Sequence, residues 1–274
     1  MKKKILQQSI LVILCLEIGL NLFSCSNRLM TTDKLSFISI EEEIRLGEDL
    51  DFFTISFLNV IRNRSLNHFL TDISTKLADV SYWSELDYKI YIINESDVNH
   101  FSLPGGSIYL FRGLLELAET RGQLAAIIAH EMGHLSQRHA VSRLAEKYSY
   151  SFAAQEVIGD NPQIASHIIE SLYKKDTILD YPKEHEIEAD RLAINYLNKA
   201  GFHAYELKQL LEIMKNRERL EPEAFQLLQN THPPLGFRQK KISQRLKHLQ
   251  ISSTVVQDDP TFEAFKSTLK KIPY

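Results

Sequence analysis

The chain has 274 residues, 44% of them apolar and 24% charged, with 10 Gly, 8 Pro and 2 Cys. That is enough apolar material for one sizeable core, and it excludes a disordered, collagenous or disulfide-stapled chain. The net charge is −3, and outside an N-terminal stretch holding Lys2, Lys3, Lys4 and Glu17 the chain carries 29 basic and 34 acidic side chains, so no nucleic-acid partner is expected.

Met1 to Lys4 is basic, and Ile5 to Phe23 is apolar but interrupted by Gln7, Gln8, Glu17 and Asn21. This is poor material for a permanent membrane span and reads as a secretory signal over 1–24. Its end, Leu22-Phe23-Ser24-Cys25, resembles the bacterial lipoprotein signal, so cleavage before Cys25 and lipidation of its sulfur are expected, with 25–36 as a tether to a membrane surface. Cys15 would leave with the signal, and no intramolecular disulfide is expected. A single domain follows over 37–250, and 251–274 reads as a C-terminal tail.

Glu41 to Leu58 reads as a helix with an acidic first turn, and Leu66, Phe69, Leu70, Ile73, Leu77 and Val80 give a second by their three-and-four spacing. Asp87 to Ile93 switches to strand character, with Tyr88, Ile90 and Ile92 on one side and Tyr91 and Ile93 on the other. A polar loop, Asn94 to Asn99, and the turn Leu103-Pro104-Gly105-Gly106 lead into a second strand, Ser107 to Arg112. From Leu114 onward the chain reads as helix. Thr120 begins a capping box with Gln123, opening a helix through Leu124, Ile127, Ile128 and His134. Another runs from near Pro182 to Gly201, and further helices cover about 206–219, 223–228 and 237–249. The fold class is α+β, mainly α, with one small sheet.

His130-Glu131-Met132-Gly133-His134 lies within the capped helix. Histidines four residues apart project from one helical face, so both imidazoles can reach one Zn²⁺ while Glu131 holds the metal-bound water. Zinc lowers the pKa of that water from about 15.7 to ~7, and the carboxylate can then take its proton and pass it to the leaving amine. A chain of this composition carries the motif by chance on the order of 0.03 times, so the context has to support it. A catalytic zinc needs a third protein ligand and an open position. Glu186, in Glu186-Ile187-Glu188-Ala189-Asp190, is the best candidate. Asp190 shares its face and can accept the N–H of a ligating histidine. Small Ala189 and Ala193 suggest close packing on that side, whereas Glu184 and Glu188 read as solvated.

These segments, with Pro104-Gly105-Gly106, Gly113-Leu114-Leu115 and Thr231-His232-Pro233-Pro234 in the same order, resemble metallopeptidase family forty-eight, the gluzincins that include the heat-shock protease HtpX and the CAAX prenyl proteases. The resemblance covers about 41–249. It implies a zincin-like domain with an active-site helix, a third-ligand helix and a small sheet with an edge strand. It implies one Zn²⁺ per chain on His130, His134 and Glu186, Glu131 as general base, and Asp190 beneath the ligands. It also singles out His232, which can stabilise the oxyanion or block the open zinc position, supported by Arg238. Lys183 departs from an arginine common in the family, and His100 replaces a usual small residue, which could narrow the substrate groove. His139 and His185 read as pointing away from the metal.

The strand from Ser107, approached by the glycine turn, is the expected edge for pairing with an extended peptide, so Gly105, Gly106, Ser107 and Ile108 are the substrate-binding candidates. The function expected is a zinc endopeptidase acting on misfolded or misassembled envelope proteins. The alternative is a chaperone-like or latent metal-binding lipoprotein with His232 on the open zinc position. Ser26 after Cys25 is not the aspartate associated with inner-membrane retention, so the periplasmic face of the outer membrane is expected. The sequence leaves the oligomeric state open.

Overall fold

A computed structural model describes residues 38–148, 181–251 and 260–274. The expected signal, the Cys25 lipidation site and the tether to residue 36 lie outside the described residues. Among these, no helix is long and apolar enough to cross a membrane.

The first helix, α1 (Ile40–Phe57), opens with Glu41, Glu42 and Glu43, whose charge complements the partial positive end of the helix. Asn63 caps α2 (Arg64–Ala78), its side-chain oxygen accepting from the Ser65 and Leu66 amides. Leu66, Phe69, Leu70, Ile73 and Leu77 are buried as their spacing predicts, while Val80 lies beyond the helix end.

The sheet has three strands, β1 (Lys89–Ile93), β2 (His100–Leu103) and β3 (Ser107–Phe111), in the order β1-β3-β2. β3 runs parallel to β1 and antiparallel to β2. Period-two alternation divides the sheet's side chains between two clusters. Ile90, Ile92, Ile108 and Leu110 join the larger core with α2 residues and with Leu124, Ile127 and Ile128, while Ile93, Phe101, Leu103, Tyr109 and Phe111 join a second cluster with Leu50 of α1.

This arrangement corrects the expectation for the substrate strand. β3 is central, hydrogen-bonded on both sides, so its backbone has no free edge. Gly105 and Gly106 take φ of 79° and 109° in a tight 3₁₀ turn, Pro104–Gly106, and a Cβ on Gly106 would lie 2.5 Å from the Asp87 carbonyl oxygen. Ser107 Oγ donates to Asp51 at 2.5 Å, and Ile108 is fully buried. All four residues thus serve the turn and the core. β2, not anticipated from the sequence, is an edge strand, and it packs against the helix that follows Thr120.

α3 (Arg112–Leu117) leads into α4 (Arg121–Ser136). Thr120 Oγ1 accepts the Gln123 amide at 3.0 Å, as the capping box requires, while Gln123 reaches back to the Glu119 amide at 2.8 Å instead of that of Thr120. After α4 come α5 (His139–Tyr148), α6 (Lys183–Lys199), α7 (Glu206–Glu218), a 3₁₀ turn (Pro222–Phe225), α8 (Gln226–Thr231) and α9 (Leu235–Leu246).

The expected C-terminal tail contains a further helix, α10 (Pro260–Lys271). Phe262, Phe265 and Leu269 bury one face, and Phe265 stacks on Phe69 of α2 at 4.7 Å. Lys266 Nζ donates to the carbonyls of Leu115, Glu116 and Ala118, satisfying acceptors that the end of α3 leaves open. The helix therefore belongs to the core.

Candidate metal centre

α4 and α6 pack more extensively than any other pair of described elements. The contact is close because Gly133 has no side chain: a Cβ there would lie 2.9 Å from the Ala189 Cα. Ala189 and Ala193 are fully buried. The close approach lets donors from two helices converge.

His130, His134 and Glu186 offer ligand atoms within reach of one another. The Nε2 atoms of His130 and His134 are 3.1 Å apart, and Glu186 Oε1 is 3.2 Å from His134 Nε2, with Oε2 3.7 Å from His130 Nε2. Donors on one zinc at 2.0–2.1 Å, set at tetrahedral angles, lie about 3.3 Å apart. Neither Glu186 oxygen accepts a hydrogen bond among the described residues, although the side chain is fully buried. A buried carboxylate without such partners is costly, and two imidazoles facing it supply the remaining donors of a metal site. The residues fit the ion that the sequence implies.

The second nitrogens are also engaged. His130 Nδ1 is 2.9 Å from Asp190 Oδ1, so it donates there and leaves Nε2 as a lone pair for a metal. Arg238 of α9 forks onto both Asp190 oxygens at 2.7 and 3.0 Å and comes within 3.6 Å of Glu186. Burial pushes the Asp190 and Glu186 carboxyls up, but the charge and hydrogen bonds of Arg238 and His130 outweigh it at Asp190, and the nearby His232, His134 and Arg238 outweigh it at Glu186, so both are held below the ordinary range. Burial opposes the Arg238 charge, and the three carboxylates around it raise its pKa nonetheless.

His134 has a partner that the sequence reading assigned elsewhere. Had α4 continued as a helix, His139 would face away. The helix instead ends at Ser136, and Arg138 takes φ of 54°, with its Nε donating to the buried Glu43 at 2.6 Å. A non-glycine residue in that left-handed region is uncommon. The reversal brings His139 Nδ1 to 3.1 Å from His134 Nδ1. Burial lowers the His139 pKa to about 4 against the pull of Glu188, so the ring is neutral. It can accept from His134 Nδ1–H while its own Nε2 faces Glu188 at 3.7 Å. His185, also expected to point away, stacks flat on His139 at 4.0 Å, and Tyr181 stacks on His134 at 4.2 Å.

Glu131 is buried beside the ligands, and its Oε1 lies 2.5 Å from His100 Nδ1. Burial pushes its carboxyl up, but the His100 hydrogen bond and the charges of His100, His134 and His130 bring it down to about 2. Glu131 Oε2 accepts no hydrogen bond among the described residues. The His232 Nδ1 is 2.8 Å from Thr231 Oγ1, and its Nε2 is 3.9 Å from Glu186. Burial holds the His232 ring neutral against the attraction of Glu186. A small cavity lined by His100, Phe101, Glu131, Tyr181 and His232 opens between β2 and the Thr231–Pro234 turn.

Glu131, His130, His134, Glu186, Asp190, Arg238 and His232 are thus brought together, as the sequence anticipated, and Gly105, Gly106, Ser107 and Ile108 are not. His100, His139 and Tyr181 belong to the centre without having been assigned to it. The signal for His100 was the alternation His100-Phe101-Ser102-Leu103, which places it on the α4 side of the sheet.

The chain is similar in sequence to known peptidases. The model of a family described as peptidase family M48 matches residues 64–246. The mitochondrial metalloendopeptidase OMA1 of Schizosaccharomyces pombe is 26% identical over 72% of this chain and 59% of its own length. The beta-barrel assembly-enhancing protease of Escherichia coli K12 is 23% identical over 87% of this chain and 50% of its own. A putative beta-barrel assembly-enhancing protease of Vibrio cholerae is 25% identical over 72% and 43%. The chain spans roughly half the length of these curated relatives.

Proposed function

The chain belongs to peptidase family M48, and from that membership we propose that it is a zinc-dependent endopeptidase acting on misfolded or misassembled proteins of the bacterial envelope. The observation that carries this reading is the convergence of His130, His134 and Glu186 on one point, with the free oxygen of the Glu131 carboxylate beside them.

Zinc at that point would acidify a water molecule and polarise the scissile carbonyl. The chain's own residues supply the rest. Glu131, ionised and acceptor-only, takes the proton from the attacking water and later delivers it to the leaving amine. Asp190 and His139 keep the two histidine ligands in the tautomer that leaves Nε2 free, and Arg238 neutralises the carboxylates behind them. β2 pairs on one side only among the described residues, so an extended peptide can add to its outer edge, which gives affinity with little demand on sequence.

A second reading is favoured by one hydrogen-bond chain. Thr231 Oγ1 donates to the Leu227 carbonyl at 3.0 Å, so it accepts from His232 Nδ1–H and leaves His232 Nε2 as a lone pair. A neutral ring of that tautomer can ligate the metal and block it, whereas an oxyanion-stabilising role requires a proton at Nε2. The donor grouping favours the open form, because His232 clusters with His100, His130 and Glu131 and not with His134. Lipid attachment at Cys25 and residence on the periplasmic face of the outer membrane complete the proposal, supported by the N-terminal sequence alone.

The test is zinc content and cleavage of denatured casein by the purified chain beside Glu131→Gln and His232→Ala. One zinc per chain, with cleavage lost in Glu131→Gln, is the expected result. Normal cleavage by Glu131→Gln sinks the assigned chemistry, and activation by His232→Ala selects the blocked form.

A further inference from the structure

His100 stands on the edge strand β2, its side chain 5% exposed, on the side of the sheet that faces α4. Its ring meets His130 edge-on at 5.4 Å and lies against His232 at 4.7 Å, so its orientation is fixed from two sides. His100 Nδ1 is 2.5 Å from Glu131 Oε1, and the other oxygen of that carboxylate is left without a hydrogen bond among the described residues.

Two roles compete for this residue. His100, His130, Glu131 and His232 lie close enough to be considered together as ligands of an ion. Two donors sharing a zinc ion stand about 3.3 Å apart, a separation that the His130, His134 and Glu186 donors approach and that His100 and Glu131, at 2.5 Å, do not. The shorter separation belongs to a charge-assisted hydrogen bond. An ionised carboxylate only accepts, so His100 Nδ1 carries the hydrogen.

We propose that His100 is a positioning residue for peptide hydrolysis, holding Glu131 by one oxygen so that the other stays turned toward the metal and the attacking water. The proposal rests on the peptidase reading above. A glutamate side chain has several staggered rotamers open to it, and a general base works only within hydrogen-bond reach of the proton it removes. His100 therefore acts through Glu131 and touches neither metal nor substrate.

The test uses the zinc-loaded full chain, with denatured casein as substrate, comparing wild type, His100→Ala and His100→Asn. Asparagine returns an amide N–H close to where Nδ1 stood. His100→Ala is expected to keep its zinc and its KM within about twofold while kcat falls on the order of 10- to 100-fold, and His100→Asn to recover most of that loss. A second readout needs neither metal nor turnover. In ¹⁵N-histidine NMR spectra one downfield, slowly exchanging Nδ1–H signal should vanish in His100→Asn and move in Glu131→Gln. An unchanged kcat in His100→Ala, an asparagine variant no better than alanine, absence of the NMR signal, or a second zinc bound by wild type and lost in His100→Ala each overturns the proposal. If neither wild type nor His232→Ala cuts casein, the peptidase reading falls and the positioning role with it; if only His232→Ala cuts, the His100 variants are compared in that background. An active wild type beside an indifferent His100→Ala overturns the positioning role alone.

Discussion

Along α4, Leu124, Ile127 and Ile128 in the first half pack into an apolar core with side chains from α2 and α7, whereas His130, Glu131 and His134 in the second half meet His100, His139, Glu186, Asp190 and Arg238. Both halves are buried to the same degree. The first is held by volume, and losing part of it costs in proportion to the atoms removed. The second is held by pairing, and removing one partner strands another inside the protein. One helix thus carries a graded region and an all-or-none region end to end.

The sharpest way to break this contrast is Glu131→Gln, which keeps the shape of the polar half and removes its base. Casein cleavage should fall on the order of 10²- to 10⁴-fold with zinc content unchanged. Next comes Arg238→Met, which leaves Asp190 and Glu186 buried without their cation. Urea unfolding of the metal-free chain should show a loss of about 3–5 kcal/mol. Leu124→Ala, at the apolar end, should cost about 3 kcal/mol in the same assay and leave zinc affinity as it was. If it weakened zinc binding as well, the two halves would not be separable.

His139→Ala should weaken zinc binding by roughly 10- to 100-fold, measured by competition with a chelator, because His134 loses the acceptor that fixes its tautomer. The smallest effect lies in the apolar core. Burial raises the Tyr88 phenol to about 12 from its ordinary 10. The unfolded chain gives up this proton near pH 10 and the folded chain only near 12, so the contribution is complete below pH 10 and is lost as pH rises toward 12. The loss is on the order of 2 kcal/mol. Thermal midpoints taken across that range should fall less steeply in Tyr88→Phe.

Much of the fold was legible because regular spacing reports burial directly. α1, α2, α4, α6, β1 and β3 follow from apolar periods and caps, and the two helices that carry the proposed ligands were marked by His130, His134 and Glu186. β2 was hidden because four residues, His100 to Leu103, give too short an alternation to stand out between a polar loop and a glycine turn. α10 was missed although Phe262, Phe265 and Leu269 recur at helical spacing, since a single buried stripe on a short polar segment is weak evidence by itself. His139 was misplaced for a more specific reason. Its direction depends on the left-handed Arg138, which Glu43 stabilises from α1, 95 residues earlier in the chain. No local pattern encodes such a reversal.

The missing side chain at Gly133 also bears on which ion the centre accepts. Glu186 and the two histidines sit on different helices, so the width of the opening between them is inherited from how closely two backbones approach. A methyl group at position 133 would spread the helices and widen that opening past the donor spacing that zinc needs, weakening its fit without altering a donor atom. In the proposed centre the fit to zinc would be in part a property of main-chain spacing, set by a residue that offers no ligand at all.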